Sequence, residues 1–221
     1  GSQITKSKPF REAITKCLDF IDSVSYSGGK IEYLNIGGGL GIIYSDEKPQ
    51  TADEFASAVL PLLKRRAGLK IVLEPGRFIS GNSGILVSKV IYEKRSEGKS
   101  FLIVDAAMND LIRPAFYGAY HEIVPVVKPP KNARKTKADI VGPICESGDF
   151  LAKDRLVPPL KPGDLLAVMS CGAYGFVMSS NYNSRPRAPE VVVRGRKFFV
   201  ARRRETIDDI LRCERIVNEE V

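Results

Sequence analysis

A chain of 221 residues with 43% hydrophobic and 27% charged side chains has the composition of a packed globular protein, which excludes a disordered or fibrous chain. The formal net charge of +8 is concentrated after residue 110, and no apolar run approaches the roughly 18 residues that a membrane helix needs. Cys17, Cys145, Cys171 and Cys213 are widely spaced with no C-x-x-C pair, which argues against a metal site or disulfide framework and for a reducing, cytoplasmic setting.

From Pro9 to Val24 the residues Phe10, Ala13, Ile14, Cys17, Ile21 and Val24 recur at three- and four-residue spacing, predicting an amphipathic helix with Pro9 in its first turn. A Ser-Gly-Gly turn follows. Residues 31–36 then read as a strand that runs directly into Gly37-Gly38-Gly39-Leu40-Gly41. Thr51 with Glu54 is a capping-box pattern opening a second helix, faced by Phe55, Val59 and Leu62 and ending in Lys64, Arg65, Arg66 and Gly68. Pro61 is expected to kink it. A second strand over residues 70–73 leads into Glu74-Pro75-Gly76-Arg77. Because a helix connects the two strands, they are expected to lie parallel.

Beyond Gly84 the pattern changes to short β-rich runs at residues 85–92, 101–105, 122–127, 139–141, 164–170 and 189–193, separated by Gly, Pro and Asn. An antiparallel β-domain is expected over residues 85–221, after an α/β region over residues 1–84. Thr206 is placed to cap a last helix extending through Val217. The basic cluster from Arg194 to Arg204 is interrupted by Phe198, Phe199 and Val200, as in a strand core with solvated ends, so nucleic-acid binding is not the expected function.

Three glycines directly after a buried strand let the backbone approach a ligand closely and aim N–H groups at an anion. A tight turn explains them equally well. The second loop shifts the balance, because Gly76 and Arg77 stand at the equivalent end of the next strand. In (β/α)8 barrels, the loops after the last two strands commonly form a phosphate site.

Five motifs in this order resemble the fold-type III pyridoxal-phosphate-dependent decarboxylases, and within them the branch acting on diaminopimelate. They are Glu32 to Gly41, Glu74 to Arg77, Asp110 to Tyr117, Gly142 to Asp149, and Gly172 to Gly175. The resemblance implies the last part of a (β/α)8 barrel followed by a C-terminal β-domain. It also implies decarboxylation of meso-diaminopimelate to lysine, with pyridoxal 5'-phosphate as cofactor. Gly37, Gly38, Gly39, Gly76 and Arg77 would hold the cofactor phosphate, with Ser2 a further candidate. Glu74 would face the pyridine nitrogen, where a carboxylate favours the protonated, electron-withdrawing ring. The bland alternative pairs Glu74 with Arg77.

Arg77 and Arg113 are implied as ligands of the substrate carboxylate, with Tyr117 beside them, since a guanidinium offers a carboxylate two parallel hydrogen bonds. Tyr174 would reach both cofactor and substrate. Cys145 is implied as the proton donor and Glu146 as the reader of the substrate's distal ammonium, the pair entering the site from the other subunit of a homodimer. Without the motif, Cys145 would be taken as a buried apolar residue and Tyr174 as a core aromatic. His121 matches no catalytic position of the family and is expected to be structural. The lysine that carries the cofactor in the family has no counterpart here, so the chain is expected to need a missing N-terminal half to be active. The rival expectations are another basic amino-acid or diamine-type decarboxylase of the same fold, and a non-catalytic homologue that binds a partner through the β-domain.

Overall fold

In the computed structural model, which describes residues 1–64, 66 and 68–217, the chain divides into two units, Gly1–Gly84 and Ile85–Val221. The first unit opens with α1 (Lys8–Tyr26), whose buried stripe is Phe10, Ile14, Leu18 and Ile21. Ala13 and Cys17, expected on that stripe, are exposed. Positions 10, 14, 18 and 21 already trace the 3.6-residue period, which leaves 13 and 17 at its margin. Next come β1 (Tyr33–Asn35), α2 (Ala52–Leu63) and β2 (Lys70–Val72). The two strands pair in parallel, with Tyr33 opposite Lys70 and Asn35 opposite Val72.

The Thr51 hydroxyl accepts from the Glu54 amide at 3.2 Å, and the Glu54 carboxylate accepts from the Thr51 amide at 2.8 Å, which completes the capping box. Pro61 lies in the last turn of α2, and Leu63 rather than Leu62 takes the buried position. Arg65 lies outside the described residues. The core of this unit joins α1 and α2 to Leu34 and Leu40, with the Phe10 and Phe55 rings edge-on at 5.0 Å. A short helix, α3 (Gly76–Ser80), follows β2.

The second unit contains β3 (Leu86–Ser96), β4 (Lys99–Val104), β5 (Ile123–Pro125), β6 (Thr136–Val141), β7 (Phe150–Val157) and β8 (Leu165–Val168). They form one six-stranded sheet in the order β5-β8-β3-β4-β6-β7. The sheet is not purely antiparallel as expected, because β4 and β6 run parallel. The long connection between them, which carries α4 (Arg113–Tyr117) and β5, supplies the crossover that a parallel pair requires. Strand β7 is absent from the sequence reading because Lys153, Asp154 and Arg155 break its alternation. Asp154 adopts φ +51° beside an irregularity in the β6–β7 register, and its amide donates to the buried Asp139 carboxylate at 2.7 Å.

Long β3 pairs with β8 through residues 86–89 and with β4 from Val90 onward. The core is built from alternate residues of these strands, among them Val90, Leu102, Val104, Ile140, Leu151, Leu166 and Val168. Each such side chain contributes about 1.5–3 kcal/mol. A separate hairpin, β9 (Glu190–Arg194) and β10 (Lys197–Arg202), precedes α5 (Ile207–Leu211). The last helix therefore ends at Leu211 and does not reach Val217.

Candidate functional site

In the first unit both glycine-bearing loops leave the C-terminal ends of neighbouring parallel strands. The ladder continues past β1 and β2: Ile36 N donates to Val72 O at 3.0 Å and Glu74 N to Gly37 O at 2.9 Å. A Cβ on Gly38 would lie 2.1 Å from the Glu74 carbonyl oxygen, and one on Gly39 would lie 2.5 Å from that of Gly1. Only glycine lets the three segments close to this distance. Among the described residues, the hydrogen bonds of the loop leave the amides of Gly38 and Gly39 without a protein acceptor, a donor set suited to an anion.

Asn35 and Gln3, which carry no chemical signal in the sequence, organise this end of the unit. The Asn35 amide donates to Glu74 Oε1 at 2.5 Å while its Oδ1 accepts from Gly37 N at 2.8 Å, so one side chain ties the carboxylate to the glycine loop. Gln3 donates to Ile42 O, accepts from Ile42 N and accepts from Arg77 Nη1 at 3.4 Å. Together with the bonds from Ile4 N to Gly39 O and Gly41 N to Ile4 O, it lays the exposed Ser2 and the rest of the first segment along the loop. Arg77 is half-buried, its guanidinium 5.9 Å from the Tyr44 ring centre.

The second unit holds Arg113, Tyr117, Cys145, Glu146 and Tyr174. Arg113 is the first residue of α4 and is only 6% exposed. Its guanidinium stands 5.9 Å from the Tyr174 ring centre, and Tyr117, one turn along the helix, is exposed. Tyr174 adopts φ +59° in a turn so tight that a Cβ on Gly175 would come within 2.3 Å of Cys171 O. It is 42% exposed, so it is not a core aromatic.

Cys145 and Glu146 are exposed on the loop between β6 and β7, which hangs on Asp149. The carboxylate of Asp149 accepts from Met108 N and Ile144 N, each at 2.7 Å. A Cβ on Gly142 would fall 2.4 Å from one of its oxygens. Glu146 accepts from Gly148 N at 3.1 Å and from the Tyr182 hydroxyl at 3.3 Å. The structure thus brings Arg113 beside Tyr174 and Glu146 beside Tyr182, a residue with no signal in the sequence reading.

Burial pushes the Cys171 thiol up to about 12, which keeps it protonated and inert. His121 has no exposed surface and contacts Arg113. Burial lowers its pKa from the ordinary value, the charges of Arg113 and Arg155 add to that shift, and the Met169 carbonyl opposes it. Among the described residues, no cluster of His, Cys, Asp or Glu is arranged to hold a metal, and no helix is long and apolar enough to cross a membrane.

The family model described as the C-terminal sheet domain of pyridoxal-dependent decarboxylases matches residues 18–172. The chain is 48% identical over 219 residues to the diaminopimelate decarboxylase of Vibrio cholerae, covering 99% of the chain and 52% of that relative. A crystal structure from Aquifex aeolicus superimposes with a TM-score of 0.92 at 50% identity, covering 96% of the chain and 52% of that protein. The diaminopimelate decarboxylase of M. jannaschii in complex with L-lysine does so with a TM-score of 0.91 at 37% identity, covering 98% and 50%. The chain therefore spans about half the length of the curated relatives it matches.

Proposed function

Because the chain belongs to the pyridoxal-dependent decarboxylases, we propose that it is the C-terminal part of an enzyme converting meso-diaminopimelate to lysine and carbon dioxide with pyridoxal 5'-phosphate. The observation that carries this reading is the meeting of two strand-end loops: Gly38 lies against the Glu74 carbonyl at a distance open only to glycine, while Asn35 fixes the Glu74 carboxylate. In this reading residues 1–84 are the last part of a (β/α)8 barrel that precedes the sheet domain of residues 85–221.

The donor set fits the cofactor. The amides of Gly38 and Gly39, with Gly37, Gly76, the Arg77 backbone and the Ser2 hydroxyl, would take the phosphate, and Glu74 would take the ring nitrogen. When bound, the cofactor supplies a sink for the electron pair left as carbon dioxide departs. Glu74, oriented by Asn35, holds the proton on that nitrogen. Arg113 takes a substrate carboxylate, and Tyr117 and Tyr174 line the position beside it. Glu146, whose carboxylate is steadied by the Gly148 amide and Tyr182, takes the distal ammonium. Cys145, exposed one residue earlier, delivers a proton to the carbon that lost carbon dioxide. The enzyme is a cytoplasmic homodimer in which Cys145 and Glu146 complete the partner's site.

The test joins the 221 residues to the N-terminal half of the Aquifex aeolicus relative, adds the cofactor, and measures carbon dioxide and lysine from meso-diaminopimelate. Equal yields of both products are expected, with Glu74→Ala lowering kcat by about 100-fold or more. The reading fails if the fusion has no turnover, or if it releases carbon dioxide from L-ornithine as fast as from meso-diaminopimelate.

A further inference from the structure

His121 is the chain's only histidine and has no exposed surface. Its ring is tied at both nitrogens. Nδ1 lies 2.8 Å from Met169 O, and because a carbonyl only accepts, Nδ1 carries the hydrogen. Nε2 lies 3.3 Å from Arg113 Nη1, and because a guanidinium only donates, Nε2 must offer its lone pair. The two partners sit at opposite ends of the ring and require the same neutral tautomer. The ring's backbone is held too: Arg155 Nη1 donates to His121 O at 2.8 Å, and the Arg155 guanidinium lies 4.0 Å from the Tyr120 ring centre. The Cys171 thiol lies 3.9 Å from Nδ1.

We propose that His121 is a positioning residue for substrate recognition, whose neutral imidazole aims the Arg113 guanidinium while leaving its charge to the substrate carboxylate. The proposal rests on the reading of Arg113 given above. A buried aspartate or glutamate would hold Arg113 equally well, but would neutralise it. An imidazolium would turn a donor toward a cation. The neutral tautomer avoids both, since its contact fixes direction and contributes no net charge. Arg113 is only 6% exposed, so protein contacts rather than water set its direction, with the Tyr174 ring nearby at 5.9 Å.

In the fusion described above, His121→Leu removes the acceptor and is expected to raise KM for meso-diaminopimelate by about tenfold or more, with kcat changed less. His121→Gln supplies a carbonyl acceptor and should recover most of that loss. Equal KM values in the two variants, or a loss confined to kcat, overturn the proposal. Nitrogen-15 NMR of the unmodified 221-residue chain needs no variant to fold. A proton on Nδ1 and a bare Nε2 at about pH 7 support the assignment, and a proton on Nε2 overturns it. If the unmodified fusion has no turnover, the functional reading fails and takes the substrate role with it. Turnover with an unchanged KM in His121→Leu sinks this inference alone.

Discussion

Asp149 is 5% exposed, with its two carboxylate oxygens each 2.7 Å from a backbone amide, of Met108 and of buried Ile144. Asp149→Ala removes both bonds. Hydrogen bonds to a charged group contribute about 1.5–3 kcal/mol each, and the Ile144 amide would be left in the interior without its acceptor. Water reaches the half-buried Met108 more easily, so the sum is reduced to about 3–4 kcal/mol, a large share of a domain stability of about 5–15 kcal/mol. Asp149→Asn keeps one acceptor but turns an amide NH2 toward the other N–H, which should cost about 2 kcal/mol.

Urea titration of the chain gives the global change, and amide exchange at Ile144 reports the loop that carries Cys145 and Glu146. Gly142→Ala provides a coupled arm. Its Cβ would meet both Asp149 oxygens, at 2.4 and 2.6 Å, and Ala106 O at 2.8 Å. Two of those three clashes vanish in Asp149→Ala, so the double variant should be less destabilised than the sum of the singles. A loss below about 1 kcal/mol in Asp149→Ala, with the Ile144 amide still protected, would refute the claim that this carboxylate suspends the loop.

Gly38→Ala must force its loop away from the Glu74 carbonyl, so cofactor affinity of the fusion, read by absorbance titration, should fall about tenfold or more. Asn35→Ala should lower kcat by about tenfold, and Asn35→Asp by more, because a second carboxylate at the 2.5 Å contact repels Glu74; equal rates in steady-state assays would contradict this. His121 has a folded-state pKa below its ordinary value of about 6.5, so the unfolded chain takes up the proton first. Stability is therefore unaffected above that value and declines as pH falls below it toward the folded pKa, because burial and the charges of Arg113 and Arg155 disfavour the imidazolium. Urea midpoints between about pH 7 and 5 should show the decline in the unmodified chain and a weaker one in His121→Gln. Iodoacetamide followed by peptide mapping should label the exposed Cys17, Cys145 and Cys213 in the native chain, and Cys171 only after unfolding.

Periodicity in the sequence located α1, α2 and the parallel pair because one covered face gives each of them a clean apolar pattern. It failed where local chemistry overrode that pattern. Strand β7 carries three successive charged residues, made tolerable by a positive φ at Asp154 and by the Asp139 carboxylate beneath it, neither of which has a local signature. The parallel partnership of β4 and β6 is likewise a property of a long connection rather than of either strand. The motifs are legible through their order along the chain, but the supporting roles of Asn35 and Asp149 within them, and of Tyr182 outside them, are not. Asn35, Asp149 and Tyr182 act on residues distant in sequence, and hydrogen bonding across 39, 41 and 36 positions leaves no spacing to read. His121 matches no catalytic motif, and its contact with Arg113 is what gives a structural residue a consequence.

Parallel sheets are ordinarily covered on both faces. In the first unit the covered face of β1 and β2 presents Leu34 and Ile71 to the core of α1 and α2. The opposite face presents Tyr33, Asn35, Lys70 and Val72, all exposed in this unit. It is polar through Asn35 and Lys70, and Asn35 is the residue that ties Glu74 to the glycine loop. A face needed only for packing would alternate toward apolar residues, as β4 and β6 do within the six-stranded sheet. The open face instead carries its polar groups toward the strand ends where Gly38 and Glu74 meet. The same alternation that buries Leu34 thus points Asn35 to the side from which the proposed cofactor is held, and moving the strand by one residue would exchange core and site together.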